Sequence, residues 1–177
     1  MEILGKNIGI RIFRNDDVIS FFEAATESNE HMQEFMPWCH KKYSVDESEA
    51  WVTSRCSAWD NKEEYSFVIF SRSDGELLGG VGINEINSMH KIGNIGYWVR
   101  KNALNSGVAT EAVSLVSKYG FSTSEFNRLE IVMLPNNVAS RKVAEKVGAK
   151  YEGILQKRLV VYGKSLDACL YSLVDDV

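Results

Sequence analysis

Residues 92–121 read IGNIGYWVRKNALNSGVATEAVSLVSKYGF and change from a strand pattern to a helix pattern part-way along. The first part, 92–100, has the period-two pattern of a strand. Beyond it the apolar residues recur at helical spacing, at Val108, Ala112, Leu115, Val116 and Tyr119. Because glycine commonly ends a helix in the left-handed conformation, we expect the helix to run from about Ser106 to Gly120.

The chain before this unit predicts a strand followed by two helices. Residues 8–14 alternate and indicate the strand, and an apolar stripe over 18–25 has helical spacing. Ser44 and Glu47 match the capping box that precedes many helices, which predicts a second helix over 45–60.

A hairpin connects these helices to the central unit. Its two strands are predicted at 65–71 and 77–86, on either side of the dipeptide Asp74-Gly75. This dipeptide favours a type I′ turn, in which both central residues have positive φ.

The chain after the unit predicts a strand, a helix and a final hairpin. The strand covers 128–134, and the helix begins at Asn136 or Asn137 and is closed by Gly148. The last two strands fall at 151–161 and 166–174. The resulting order, β-α-α-β-β-β-α-β-α-β-β, is an α/β (α+β) arrangement in which helices cover a mixed sheet.

Composition limits the function classes. The chain has 177 residues, 45% of them hydrophobic, which fits one domain over 1–177 and excludes a disordered chain. Its net charge of −4, without a stripe of Lys and Arg, argues against direct nucleic-acid binding. We expect no signal peptide, since the N-terminus has no basic region leading into an apolar run and no A-x-A site. We also expect no membrane association, since no run of about 18 apolar residues is present. Three cysteines without CxxC pairing favour a cytoplasmic protein with reduced thiols.

The start of the helix after 92–100 is a candidate anion site. Small residues there expose several backbone N–H groups at the positive end of the helix dipole. Gly107 permits close approach of a phosphate, and Ser106 and Thr110 add hydroxyl groups. The other interpretation is that Gly and Ser simply form the turn, as they do at many such junctions.

Other ligand sites have less support. No G-K-[ST] completes a Walker A loop, and Gly80-x-Gly82 lacks the third glycine of a dinucleotide fingerprint. His31, His40 and His90 are isolated in the sequence, so we predict no metal site.

Two segments resemble the acetyl-coenzyme A binding core of the Gcn5-related N-acetyltransferases (GNAT). They are VRKNALNSGVATEAVSLVSKYGF (99–121) and RLEIVMLPNNVASRKVAEKVGAKYEGIL (128–155). The tail EGILQKRLVVYGKSLDACLYSL (152–173) is similar to the RimJ/RimL branch, which acetylates the N-termini of ribosomal proteins. The resemblance implies a mostly antiparallel sheet with helices on both faces, splayed between the fourth and fifth predicted strands. It also implies acetyl-CoA as co-substrate and coenzyme A as product.

The resemblance also implies a set of cofactor-binding residues. The family's pyrophosphate loop, Q/R-x-x-G-x-G/A, falls on 104–109, where Gly107 and Ala109 match and Leu104 departs from the usual Gln or Arg. Asn105 also stands where a first glycine is common. Since Asn tolerates the left-handed backbone, the turn can survive this departure. The implied residues are Trp98, Val99, Leu104, Asn105, Ser106, Gly107, Val108, Ala109, Thr110, Asn137 and Ser140.

Catalytic roles follow from the same resemblance. Many members carry a tyrosine that protonates the leaving thiolate, but that position is Ala144 here, which leaves Ser140 as the implied acid. Its alternative role is a hydroxyl bonded to its own helix turn. A backbone N–H near Val99 is the implied oxyanion donor. Glu85 is our candidate base, with an exposed carboxylate at a strand end as the alternative.

A cysteine acyl-enzyme is a competing mechanism. Cys39 adjoins His40, but neighbours in a chain rarely face each other, and Cys56 is expected on the apolar face of a helix. We therefore expect direct transfer in a ternary complex. The stretch 35–38 is expected either to wall the acceptor site or to join the first two helices to the sheet.

The acceptor is the least determined part of the prediction. The tail favours the N-terminal α-amine of a ribosomal or other protein. The alternatives are a small amine, such as a polyamine or antibiotic, and a non-catalytic module that senses acyl-CoA. A homodimer is compatible with each of these.

Overall fold

The computed structural model describes residues 1–175, which form eight strands and four α-helices. In chain order these are β1 (Glu2–Leu4), β2 (Ile8–Ile12), α1 (Val18–Met32), α2 (Val45–Asp60), β3 (Tyr65–Ser71), β4 (Leu77–Asn87), β5 (Ile92–Val99), α3 (Val108–Ser122), β6 (Arg128–Met133), α4 (Val138–Lys146), β7 (Lys150–Val161) and β8 (Lys164–Val174). Among these residues, no helix is both long enough and apolar enough to cross a membrane.

The strands form one sheet in the order β1-β2-β3-β4-β5-β6-β8-β7. Neighbouring strands are antiparallel except for β5 and β6, which run parallel. The predicted mixed, mostly antiparallel sheet is therefore confirmed. The short strand β1 was not predicted, because three residues are too few to show a period.

The parallel pair β5 and β6 diverges soon after it begins. Its paired residues are Ile92–Asn94 and Arg128–Glu130, and no pair is recorded for the later parts of these two strands, which lie wholly within the described residues. These are the fourth and fifth predicted strands, so the expected splay between them is confirmed. We call the wedge-shaped opening between 95–99 and 131–133 the gap.

The register of β4 and β5 determines which backbone groups face the gap. The N–H of Arg100 donates to the carbonyl of Leu78 at 2.7 Å, and hydrogen-bonded pairs alternate along an antiparallel ladder. Trp98 and Gly96 are therefore bonded to β4, while the backbone groups of Tyr97 and Val99 point away from it. The polar backbone of these two residues thus borders the gap.

Helices cover both faces of the sheet, as expected. The period-two alternation of β3 and β5 divides their side chains between two apolar clusters. Phe67 and Ile95 belong to the cluster under α3 and α4, whereas Val68 and Trp98 belong to the cluster under α1 and α2. The sheet therefore separates two helical layers, and the gap lies between them.

The predicted turn at Asp74-Gly75 needs correction. Gly75 has a φ of 78° but Asp74 is not among the residues with positive φ, so Asp74-Gly75 does not form a type I′ turn. It belongs to a longer loop in which the N–H of Ser71 donates to Glu76 O at 2.9 Å. The dipeptide with two positive φ values is Tyr162-Gly163, at 49° and 74°, between β7 and β8.

The helix caps agree more closely with the sequence. Ser44 and Glu47 form the predicted capping box at the start of α2, and Asn137 caps α4 by accepting from the N–H of Ser140. Helix α3 begins at Val108 with Gly107 as its cap, two residues later than predicted, and ends at Ser122 rather than at Gly120.

Candidate active site

The start of α3 presents backbone N–H groups beside the gap. Gly107 is the N-cap, with a φ of 88°. Because glycine has no side chain, the N-cap residue itself accepts no hydrogen bond from the N–H groups of the first turn through a side chain. The first intrahelical bond of this turn runs from Glu111 N to Gly107 O at 3.0 Å. The N–H groups of Val108, Ala109 and Thr110 precede it and have no acceptor within the helix. Together with the helix dipole they favour an anion at this end.

Gly107 leaves room for that anion. A Cβ built on it meets no heavy atom within 4 Å among the described residues, so the space in front of the helix is open. Its left-handed backbone also disfavours any residue with a side chain. Val108 itself is buried and packs into the core beneath α3, which fixes the position of the helix start.

The turn that leads to α3 adopts the backbone expected for it. Leu104 is extended, with φ −65° and ψ 150°, and Asn105 is left-handed, with a φ of 59°. The hydroxyl of Ser106 donates to Ala103 O at 2.5 Å, so its proton stabilises the turn in this structure. The capacity of Asn for positive φ thus replaces the glycine that the family pattern has at this position.

A groove of about 580 Å³ runs along α3 from this site towards the end of α4. Gly107 and Thr110 line it, together with one carboxylate, Glu111, and three lysines, Lys6, Lys118 and Lys146. Glu111 accepts a hydrogen bond from the N–H of Asn7 at 3.0 Å. The excess of lysine gives the groove a positive charge, which suits a ligand with several phosphates.

Trp98 and Val99, adjacent on β5, have their side chains on opposite faces of the sheet. The side chain of Trp98 lies under α1, edge-on to Phe21 with ring centroids 5.3 Å apart. Val99 packs on the α3 side, and its carbonyl lies 3.2 Å from Nε2 of His31. With this carbonyl engaged by His31, the N–H of Val99 remains the donor that faces the gap.

Tyr97 reaches Ser140 across the gap, a contact that the sequence analysis missed. The Oη of Tyr97 lies 2.7 Å from Oγ of Ser140 and 3.2 Å from its carbonyl oxygen. Burial raises the pKa of Tyr97 to about 12, so the phenol is protonated at neutral pH. The expected tyrosine position on α4 is the fully buried Ala144, and the phenol comes from β5 instead.

Ser140 therefore has a partner outside its own helix. Its N–H donates to Oδ1 of Asn137 at 3.1 Å, which holds the first turn of α4 in place. The recorded partner of its Oγ is Tyr97 rather than a carbonyl of the same helix turn. Asn137, Ser140 and Tyr97 thus form one connected polar group at the edge of the gap.

Glu85 lies apart from this group. It has a φ of 47° at the irregular end of β4, and its side chain is 54% exposed. Its carboxylate pairs with the guanidinium of Arg158 on β7 at 2.8 Å. The neighbouring Asn84, and not Glu85, borders the pocket on this side of the sheet.

A pocket of about 300 Å³ lies on the opposite face of the sheet, under α1 and α2. We call it the aromatic pocket. Met36 and Trp38 of the stretch 35–38 line it, so this stretch does border a cavity. Its other lining residues are Phe13, Trp51, Arg55, Glu64, Ser66, Phe67, Gly80, Val81, Gly82, Asn84, Gly96, Tyr97 and Trp98.

The cysteines do not favour an acyl-enzyme. Cys39 is buried, its Sγ donates to Ala25 O at 3.3 Å, and burial raises its pKa to about 11. A thiol with such a pKa is almost wholly protonated and is a poor nucleophile at neutral pH. The expectation that Cys56 lies on an apolar face is wrong, because this residue is exposed.

Comparison with known proteins now identifies the family. Residues 7–150 match the model of the acetyltransferase (GNAT) domain. The chain belongs to the GNAT family. A probable N-acetyltransferase of Bacillus subtilis, YjcK, is 31% identical over 90% of this chain and 89% of its own length. The ribosomal-protein-serine acetyltransferase of Escherichia coli is 20% identical over 98% of this chain and 96% of its own.

Solved structures agree on the GNAT fold. The microcin C7 self-immunity acetyltransferase MccE, in complex with acetyl-CoA and AMP, has a TM-score of 0.89 at 21% identity and covers 97% of this chain and 94% of its own. RimJ of Mycobacterium smegmatis, in complex with CoA-disulfide, has a TM-score of 0.87 at 24% identity, over 96% and 82%. Family membership supports the expected acetyl transfer, with acetyl-CoA as the co-substrate.

Substitution of Gly107 tests the anion site. We expect Gly107→Val to weaken acetyl-CoA binding at least 100-fold in calorimetry, because the branched side chain fills the space in front of the helix. The left-handed backbone adds a folding cost of about 1–2 kcal/mol. Gly75→Val is the matched control, since Gly75 also has a positive φ, 78°, and open space around it. Equal loss of binding in both variants would contradict the site.

Proposed function

We propose that the protein transfers the acetyl group of acetyl-CoA directly to the N-terminal α-amine of a ribosomal or other protein. The observation that carries this proposal is the gap, which has a helix start with free backbone N–H groups on one side and the aromatic pocket on the other. A donor and an acceptor can therefore approach the same strand from opposite faces. The similarity of the tail 152–173 to the RimJ/RimL branch and the name of the E. coli relative support this acceptor.

Each part of acetyl-CoA, the acetyl donor, can be assigned to a set of residues. We propose that Leu104 to Thr110 bind the diphosphate through the free N–H groups at the start of α3, with the lysines of the groove nearby. Acetyl-CoA supplies the activated acetyl thioester. The gap-facing backbone of Tyr97 and Val99 would bind the amide-containing arm, and the N–H of Val99 would stabilise negative charge on an oxygen. Asn137 and Ser140 border the arm from the other side.

Ser140 is the proposed acid. Its Oγ lies at the edge of the gap, and the protonated phenol of Tyr97 is 2.7 Å away. A proton given up at Ser140 Oγ can be replaced from Tyr97 Oη, so the pair can act as a two-step donor. Tyr97 on β5 therefore offers the phenol that many family members carry on the helix that corresponds to α4, at the position occupied here by Ala144.

The need for a base depends on the acceptor. An N-terminal α-amine has a pKa of about 7.7–8.0, so a useful fraction is neutral at pH 7, whereas a lysine amine near 10.4 is almost wholly charged. We retain Glu85 as the proposed base, acting through water from the rim of the acceptor side. In this structure its carboxylate is engaged by Arg158, so the role requires that this ion pair open.

We also propose a cytoplasmic location, which the three free cysteines support. The sensing module remains the second candidate function, favoured by the departure at Leu104. The two candidates differ in one observable, because only an enzyme releases thiol from acetyl-CoA.

Two hydroxyl deletions test the acid. Ser140→Ala should lower kcat about 100-fold with a much smaller change in KM for acetyl-CoA, because the hydroxyl acts only on the leaving group. Tyr97→Phe should lower kcat about tenfold, since Ser140 stays but loses its proton source. Both are measured as thiol release at saturating acceptor. If kcat and KM change equally, the hydroxyls bind rather than donate.

The pH profile of Glu85→Gln tests the base. We expect kcat/KM to fall about tenfold at pH 6.5 and to approach the wild-type value at pH 9, where the α-amine is already neutral. Arg158→Gln breaks the same ion pair but keeps the carboxylate. A similar loss in both variants at every pH would mean that the ion pair is structural and that Glu85 is not the base.

Intact-mass analysis tests the acceptor. Incubation of unacetylated ribosomal proteins with the enzyme and acetyl-CoA should add one acetyl group to a defined subset, mapped to the N-terminus by peptide sequencing. A parallel panel contains spermidine and aminoglycosides. Acetylation confined to the small amines would overturn the protein acceptor, and the absence of thiol release with every amine, despite acetyl-CoA binding, would favour the sensor.

A further inference from the structure

The floor of the aromatic pocket is made largely of backbone. Ser66, Gly82 and Gly96 form one cross-strand row over β3, β4 and β5, and Gly80 lies in the next row. A Cβ at Gly96 would meet only the Nδ2 of Asn84, at 3.2 Å, and Gly96 has no positive φ that would require glycine. The missing side chain at Gly96 therefore serves to keep the pocket deep.

The walls of the aromatic pocket are rings arranged for contact with another ring. Trp38 lies edge-on to Trp98 with centroids 5.8 Å apart, and Phe13 lies edge-on to Trp51 at 4.9 Å. Trp38 is still 38% exposed, which leaves part of its surface available. Faces and edges of this kind pair favourably with an inserted aromatic ring.

The charges in the pocket neutralise each other. Arg55 pairs with Glu64 at 2.6 Å and lies over the ring of Trp51 at 4.6 Å. Ser66 donates to the other oxygen of the Glu64 carboxylate. Glu64 is the single carboxylate among the residues that line the pocket, and it is already paired. A polyamine ammonium would lose its hydration here without gaining an unpaired acid.

The pocket adjoins the point of transfer. Gly96 faces the pocket while the next residue, Tyr97, presents its backbone to the gap and its hydroxyl to Ser140. A group held above Gly96 thus lies on β5, one residue away from the Tyr97 backbone that borders the gap.

From these observations we infer that the aromatic pocket binds an uncharged aromatic ring carried by the first or second residue of the acceptor. This inference rests on the proposed function and specifies its substrate class. It predicts that peptide N-termini with an aromatic ring near the amine are better acceptors than polyamines and better than N-termini with only small side chains.

The test compares acceptor peptides that differ only at positions 1 and 2. The series carries Ala-Ala, Phe-Ala and Ala-Phe at the N-terminus, with 2-phenylethylamine as a ring without a peptide and spermidine as a charged amine. We expect kcat/KM for one or both Phe peptides to exceed the Ala-Ala value at least tenfold. If 2-phenylethylamine matches the Phe peptides, the ring and amine suffice, which supports the ring site but overturns the peptide acceptor. If it does not, the peptide backbone contributes, which supports the inference as stated.

Variants of the pocket link this preference to its residues. Trp38→Ala and Gly96→Ala should each reduce the Phe to Ala-Ala ratio at least fivefold, the first by removing a wall and the second by filling the floor. Trp38→Phe restores a ring and should recover most of the ratio. Calorimetric binding of acetyl-CoA reports that each variant is folded.

The outcomes separate the two proposals. Equal kcat/KM for all three peptides, or a preference for Phe that survives Trp38→Ala, would overturn the pocket inference and leave the proposed protein acceptor intact. Turnover of spermidine without turnover of any peptide would overturn both.

Discussion

The divergence of β5 from β6 is the constraint on which the site depends. A strand that pairs along both edges satisfies its N–H and C=O groups. Beyond Asn94, β5 pairs with β4 along one edge only, and the backbone groups on its other edge have no strand partner. Buried polar groups of this kind need partners. The protein supplies one through His31 at Val99 O, and the remaining groups form a polar border suited to the amides of a ligand.

The sheet then keeps two kinds of chemistry apart. On the α3 side, the helix start and the lysines of the groove create an environment for phosphates. On the α1 and α2 side, tryptophan rings and paired charges create one for uncharged groups. Because successive side chains of a strand point to opposite faces, the side chain of Tyr97 lies on the α3 side although the adjacent Gly96 faces the aromatic pocket. The gap is where the two environments meet.

Local signals in the sequence predicted much of this arrangement. The capping box at Ser44, the cap at Asn137 and the turn at Asn105 and Gly107 depend on residues within four positions of each other, so the sequence contains all the partners. The type I′ turn assigned to Asp74-Gly75 failed because the register of β3 and β4 required a longer loop. The contacts of Tyr97 with Ser140 and of Glu85 with Arg158 join residues 43 and 73 positions apart and depend on sheet order, which no local pattern contains.

Gly96, in the floor of the aromatic pocket, has a consequence for how such proteins diverge. Because a methyl group added at Gly96 would meet only the Nδ2 of Asn84, it would alter the cavity without moving any side chain on the opposite layer, where the nucleotide carrier is expected to bind. Selectivity for the amine and affinity for the carrier can therefore evolve independently on one scaffold. Duplicated copies of such a gene could acquire new acceptors in few steps while retaining the same acetyl source.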